Sequence, residues 1–309
     1  MANENFLVGT LPDYVEQRRG VLVKDVVFGT PTVSRIVPQT GIKTTATINY
    51  LSADPVLQDG HGCGFNAENS TDLTQREIET ALIKVNEDYC PDTLLGKWPE
   101  YLVRIPETQR EDFPFEEYVL RVLSNAIKNK IEKMVWQGDK TSLSTDLKWI
   151  NGFITLALAD ASVIGVPIAA GTSAWNAIKA VILGLNDDIL RRGDVLVFVA
   201  PELYLAFILE MVEKNLFHYS GPQNTYPEEV VFPGTNIRVV NTAGLAGTNY
   251  ILASNRDNLY YGTDVENADE MFKVHYDNVA NVFKVAVRWN MGVQFAFPNR
   301  VVLGTIATQ

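Results

Sequence analysis

The stretch from Phe115 to Gln137 constrains this chain more than any other. Phe115, Val119, Val122, Leu123, Ala126, Ile127, Ile131, Met134 and Val135 recur at the three- and four-residue steps of one helical face. Glu111, Asp112, Glu116 and Glu117 gather at its start, and Lys128, Lys130 and Lys133 lie toward its end, which complements the helix dipole. Pro114 suits the first turn, and Gly138 suits the stop just past the last. At ~1.5 Å per residue such a helix runs on the order of 34 Å, the length of a beam across a domain. It separates a polar N-terminal third from a strand-rich C-terminal half.

The N-terminal third buries little by itself. Residues 1–35 read as an arm, with a short helix at Leu11–Glu16 and no sustained period. From Val33 to Asp72 the chain is Thr, Gly and Asn with short β-prone pieces such as Thr44–Leu51. Long stretches of this kind are uncommon unless functional. A projecting β-hairpin that borrows a neighbouring subunit's surface is the physical solution, with Gly60, Gly62 and Gly64 at or near its tip. Glu77–Glu87 alternates apolar and polar residues. The same stretch can be forced into a helix, but its place before Cys90-Pro91 favours a strand.

After the polar loop that follows Gly138, the pattern becomes compact and alternating. Ser173 can cap a helix from Ala174 to about Leu185, Asp194–Val199 is a buried strand, and Pro201 opens a helix to about Lys214. Strands are predicted at Ile237–Val240, Tyr250–Ala253 and Asn258–Tyr261, and three or four antiparallel strands between Met271 and Thr308. Phe283–Phe297 is long enough for a bent strand, with a bulge expected at Gly292.

With 46% hydrophobic and 20% charged residues in 309, the chain can build a real core. A formal charge of −11 argues against a dedicated nucleic-acid binder, whose footprint is basic. It is compatible with a wall that merely encloses nucleic acid. Cys63 and Cys90 are too few for a disulfide framework and point to a reducing compartment of synthesis. The start, Met1 to Phe6, lacks signal-peptide character, and Asp160 and Pro167 interrupt the most apolar run, Phe153–Gly171. A soluble intracellular product with no membrane span is expected.

The usual catalytic spacings are missing from the sequence: G-x-S-x-G, H-E-x-x-H, the phosphate-binding G-x-x-x-x-G-K-[ST] and paired C-x-x-C. His61 and Cys63 are two ligands and fall short of a closed metal site. His218 and His275 read as structural or surface residues. Asp257, Asp264, Glu266, Asp269 and Glu270 lack calcium-loop spacing and read as a solvated face. Trp98, Trp136, Trp149, Trp175 and Trp289 are scattered, as packing anchors are. The expectation is no enzyme, no catalytic residue, no cofactor and no metal.

Several fragments carry a resemblance. Ile131–Asp139 and Asn151-Gly152-Phe153 look like the end of the spine helix, the following turn and the next segment in major capsid proteins of tailed bacteriophages, the Hong Kong phage-type fold. Val197–Tyr204 is similar to the strand-then-helix that begins that family's axial domain. Asn258–Gly262 and Val285–Val293 resemble its late strands. The order and spacing of these fragments strengthen the match.

The resemblance implies an α+β fold with an N-terminal arm (1–35), an extended β-hairpin loop (36–75), a peripheral domain with a long spine helix (76–165 and 265–309) and an α/β axial domain (166–264). It implies self-assembly into hexamers and pentamers of an icosahedral shell around double-stranded DNA, without sequence-specific binding. Scaffolding, portal and decoration proteins would be partners, and the virion capsid the destination after synthesis in the host bacterial cytoplasm. Some members begin with a cleavable scaffolding extension, whereas here the arm starts almost at Met1. Either that extension has been removed or scaffolding is a separate protein. Candidate assembly contacts are Lys43, Thr45 and Tyr50 in the loop, Arg18 and Arg19 in the arm, and Lys128 on the spine helix. Lys43 is a loop lysine such as some members use for covalent cross-linking, but no motif identifies its partner and that chemistry is not carried over. Two alternatives stand beside this reading: an encapsulin-type nanocompartment shell, and a soluble α/β enzyme without a familiar motif. The poorly self-burying stretch 33–72 weighs against the enzyme.

Overall fold

The helix predicted between residues 115 and 137 forms with those bounds as α1 (Phe115–Gln137). The computed structural model describes residues 22, 25–54, 56–57, 70–90, 115–216, 227–264 and 272–307. The buried stripe of α1 is Leu120, Leu123, Ile127, Ile131, Met134 and Val135, whereas Val122 is 52% exposed and Ala126 is exposed too. Near its C-terminus the helix is buried on most sides, with Glu132 and Trp136 covered as well. The reason is its position: apolar side chains from two different sheets close over it in one core. The last turn contains no basic residue. Lys128 and Lys130 instead meet individual carboxylates, Asp25 and Asp146.

Five strands make the first sheet: β1 (Val37–Gln39), β4 (Ala81–Tyr89), β10 (Leu259–Asp264), β11 (Phe272–Asp277) and β12 (Val282–Phe295). β12 is its axis. β4 runs along one edge of it from Phe283 to Met291, while β11 and then β10 occupy the opposite edge. Residues 77–87 are extended as expected, yet they belong to two strands separated at Thr80. No bulge forms at Gly292, because the β10–β12 ladder runs unbroken through a Gly262–Gly292 pair.

The second sheet has the order β5-β13-β9-β6-β8-β7, from β5 (Ile164–Ile168), β13 (Val301–Ile306), β9 (Tyr250–Asn255), β6 (Val195–Val199), β8 (Arg238–Asn241) and β7 (Glu229–Val231). Every residue of β6 is buried. Leu196 and Phe198 point into the core of α1, while Val195, Val197 and Val199 point the other way, into a second core. Helices α3 (Ala174–Leu183) and α5 (Pro201–Glu213) cover that second face. α2 (Phe153–Ala159) packs on α1, and α4 (Asp187–Arg192) leads into β6. Ser173 caps α3 as expected, its hydroxyl accepting from the Asn176 N–H.

The sheets divide the chain differently from the expected split of 166–264 and 265–309. β10 joins the first sheet, and the C-terminal strand β13 returns to the second, where it alone connects β5 to the rest. Pairing partners this distant in sequence leave no local signature. Asp264, expected on a solvated face, is 7% exposed at the end of β10. Among the described residues no three or more His, Cys, Asp or Glu side chains cluster as a metal site would need. No helix among them is long and apolar enough to cross a membrane.

Candidate assembly surfaces

The expected hairpin is present. β2 (Thr45–Asp54) and β3 (Ser70–Glu79) pair antiparallel from Thr45–Glu79 to Asp54–Ser70. Ten rungs at ~3.3 Å give an arm about 30 Å long. No third strand joins it among the described residues. The glycines placed at its tip, with His61 and Cys63, lie outside them.

Its root is built with care. Ile42, Ile48, Ile78 and Ala296 form a small buried cluster, with Tyr260 and Phe297 against it. Facing strand residues Thr45, Thr47, Asn49, Gln75, Glu77 and Glu79 are exposed, which is the two-residue alternation of a sheet covered on one side only. Gly262 and Gly292 make the seat. A Cβ on Gly262 would lie 2.8 Å from Ile78 Cδ1, and one on Gly292 would lie 2.1 Å from the Glu79 carbonyl oxygen. The chain passes from β3 to β4 directly over a strand position that has no side chain.

Polar contacts lock that seat. The Ile42 N–H donates to the Thr263 carbonyl (3.2 Å) and the Thr80 N–H to the Thr44 carbonyl (2.7 Å). Asn290 Nδ2 donates to the Lys43 carbonyl at 3.2 Å, and Gln294 Nε2 to the Glu77 carbonyl at 3.0 Å. Arg76 clamps the hairpin to α2: its Nη2 is 2.7 Å from Asp160 Oδ2, and its guanidinium carbon sits 4.8 Å from the centre of the Phe295 ring. Burial works to raise the Asp160 carboxyl. The Ser162 N–H and the Arg76 guanidinium outweigh it and hold the group below the usual carboxylate range. Lys140, from the loop after α1, pairs with Glu79.

The chain just before the hairpin is docked rather than free. Residues 25–28 are helical, and Val26, Val27, Val33 and Ile36 enter the core of α1. Glu132 on α1 holds this segment. Its carboxylate accepts from the Thr32 N–H at 3.2 Å and from the Thr32 hydroxyl, which in turn accepts from Trp136 Nε1 at 2.8 Å. Burial raises the Glu132 pKa, and the hydrogen bonds from Thr32 and Thr30 and the charge of Arg35 only partly oppose it. Arg35 reaches Glu228 (3.0 Å) and Glu229 (3.3 Å) beside the second sheet.

Gly138 and Gly152, the glycines of the first two resembling fragments, meet in space. The Gly152 N–H donates to the Gly138 carbonyl at 2.8 Å, and a Cβ on either residue would strike backbone at under 3 Å. Gly138 is needed for this close approach. α1 does stop just before Gly138, as expected, but the glycine's φ is not positive, so the close approach and not a left-handed turn is what excludes a side chain there. Phe153 then packs against Trp136, the ring centres 5.4 Å apart and the planes tilted by 55°.

Of the candidate contacts, Lys43 and Thr45 are exposed side by side at the hairpin root. Tyr50 is opposite Thr74 farther along β2. Arg18 and Arg19 lie outside the described residues. Lys128 stands apart from the hairpin, its Nζ 2.8 Å from Asp25 Oδ2, so that its charge is engaged within the chain. The glycine seat, the Arg76 clamp and buried Glu132 were not anticipated. Glycines inside strands mark bulges or close backbone approach, and the second meaning applies here.

No protein-family profile and no curated protein matches this sequence. Solved structures do. A chain of the satellite phage P4 procapsid, whose structure includes the size determination protein, aligns at a TM-score of 0.62 and 11% identity, over 94% of this chain and 91% of that one. The cyanophage A-1(L) capsid asymmetric unit gives 0.59 and 12%, over 89% and 91%. The virus-like particle from Pyrococcus furiosus gives 0.52 and 9%, over 94% and 98%. At such identities the likeness is one of fold, and the fold is that of tailed-phage capsid subunits.

Proposed function

We propose that this chain is the major capsid protein of a tailed phage, assembling into hexamers and pentamers of an icosahedral shell around double-stranded DNA. The observation that carries the reading is the hairpin: two ten-residue strands fixed to the body at their root, with no third strand along them among the described residues. Ordering an arm of that length is offset only if its surface is covered, and a second copy of the chain supplies the cover. In this reading residues 1–35 are the arm, the hairpin is the extended loop, the α1 layer is the peripheral domain and the second sheet is the axial domain. The protein's work is structural, not catalytic. Lys43, Thr45 and Tyr50 lie at copy-to-copy contacts, and the net charge of −11 keeps any DNA contact local, basic and independent of sequence. Scaffolding, portal and decoration proteins are the further partners.

Negative-stain microscopy and sedimentation of the purified protein test this. Capsomers or closed shells are expected, and a stable monomer at micromolar concentration under all salt conditions would overturn it. The likeness to the Pyrococcus furiosus virus-like particle supports a second reading, a nanocompartment shell. Particle diameter and the presence of packaged DNA separate the two.

A further inference from the structure

Helix α5 has two apolar faces, and the body of the protein uses one. Tyr204, Phe207 and Met211 are buried in the core beneath the second sheet. Leu205, Leu209 and Val212, spaced four and three residues apart, are 49%, 56% and 55% exposed. At about 100° per residue these three fall within one narrow stripe. The stripe lies on the side of α5 opposite α3. On the α3 side Phe207 stacks with Trp175 at 5.8 Å, and the Glu210 carboxylate accepts from the Ala174 N–H at 2.8 Å. An isolated exposed leucine needs no explanation, but an aligned row of three does.

The rim of the stripe is acidic. Glu202 and Glu213 are exposed beside it, and neither pairs with a basic side chain among the described residues. Two such stripes pressed together by a twofold axis would bring these carboxylates toward one another. That repulsion argues against a symmetric pairing. The same chain presents a complement elsewhere. On α3, Leu183 is 74% exposed one turn after Lys179, an exposed cation with no ion pair among the described residues, and Leu190 on α4 is exposed as well.

We propose that the Leu205–Leu209–Val212 stripe of one copy docks on the Lys179–Leu183 face of α3 in a second copy, with Glu202 and Glu213 facing Lys179. The contact joins unlike surfaces, so it propagates head to tail and closes into rings when the rotation allows. It rests on the shell reading above and identifies a surface that joins neighbours within a ring, independent of the hairpin.

The test uses the full chain, with assembly followed by sedimentation and microscopy, and folding by circular dichroism and melting temperature. Leu209→Glu is expected to fold normally and to lose rings and shells. Glu213→Lys and Lys179→Glu should each raise the concentration needed for assembly by about tenfold, and the two together should restore it. Leu205→Ser serves in place of Leu209→Glu if that variant misfolds. Assembly by the leucine variant equal to wild type overturns the contact, as does a double charge exchange no better than the worse single one. A wild-type chain that never assembles overturns the shell reading and this contact together. A wild-type chain that assembles while the variants behave identically removes the contact alone.

Discussion

Replacing Gly292 with alanine adds a methyl group where the chain crosses from β3 to β4. Its Cβ would stand 2.1 Å from the Glu79 carbonyl oxygen, 2.9 Å from that carbonyl's carbon and 3.1 Å from Thr80 Cα. Reaching an ordinary contact of 3.4 Å requires a shift of about 1.3 Å. Every obstructing atom is backbone, so no rotamer change relieves the clash, and β12 is held on both edges at neighbouring Asn290 and Met291. Overpacking of this kind costs ~1–3 kcal/mol, and a backbone obstacle puts Gly292→Ala near the upper end. For a chain of this size that lowers the melting temperature by on the order of 5 °C. Gly262→Ala should cost less, since its nearest neighbours are the methyl ends of Ile78 and Ile42. Gly165→Ala on edge strand β5 is the control: nothing lies within 4 Å of its Cβ. That change should stay within ~0.5 kcal/mol of wild type. Thermal unfolding followed by circular dichroism gives the order directly. Equal midpoints for Gly292→Ala and Gly165→Ala would refute the claim that the hairpin root sits on a glycine seat.

Three further outcomes follow from the same geometry. Ile131→Asp buries an unpaired charge at a fully covered position and should prevent folding, while Lys128→Ala should lose no more than about 1 kcal/mol with the Asp25 pair; equal yields of soluble protein from both would show α1 to be wrongly phased. Joining Asn49 to Gln75 by a short turn, in place of residues 50–74, keeps Ile48 and Ile78 and should leave a folded subunit that makes no closed particles. Normal shells from that variant in micrographs would refute the role given to the hairpin. Glu132 has a folded pKa above its ordinary 4.5, so the native state binds the extra proton and this group's contribution to stability is full below that value and lost as pH rises through the folded pKa. Denaturant titrations of wild type and Glu132→Gln should therefore show a slope with pH just above 4.5 that the variant lacks, and parallel curves would contradict the assignment.

What the sequence determined by itself was whatever depends on neighbours along the chain. The period of α1, the Ser173 cap, the Pro201 start of α5 and the unbroken apolar run of β6 each encode an element locally, and each formed. The hairpin was legible too, because Thr44–Leu51 is β-prone yet too poor in apolar residues to bury itself. The tertiary structure alone decided how those elements were shared out. Val122 and Ala126 repeat at helical spacing, but the sheets that close over α1 fix which side is covered, and they chose Leu120, Glu132 and Trp136 instead. Gly138 does follow the end of α1 and Gly292 makes no bulge, but at both the reason for glycine is visible only in three dimensions: another backbone passes too close for a Cβ. Strand β13 joins β5 across more than a hundred residues, and Glu132 meets Thr32 across a hundred. Such pairings arise from the free energy of closing the whole chain on one core, which no local pattern records.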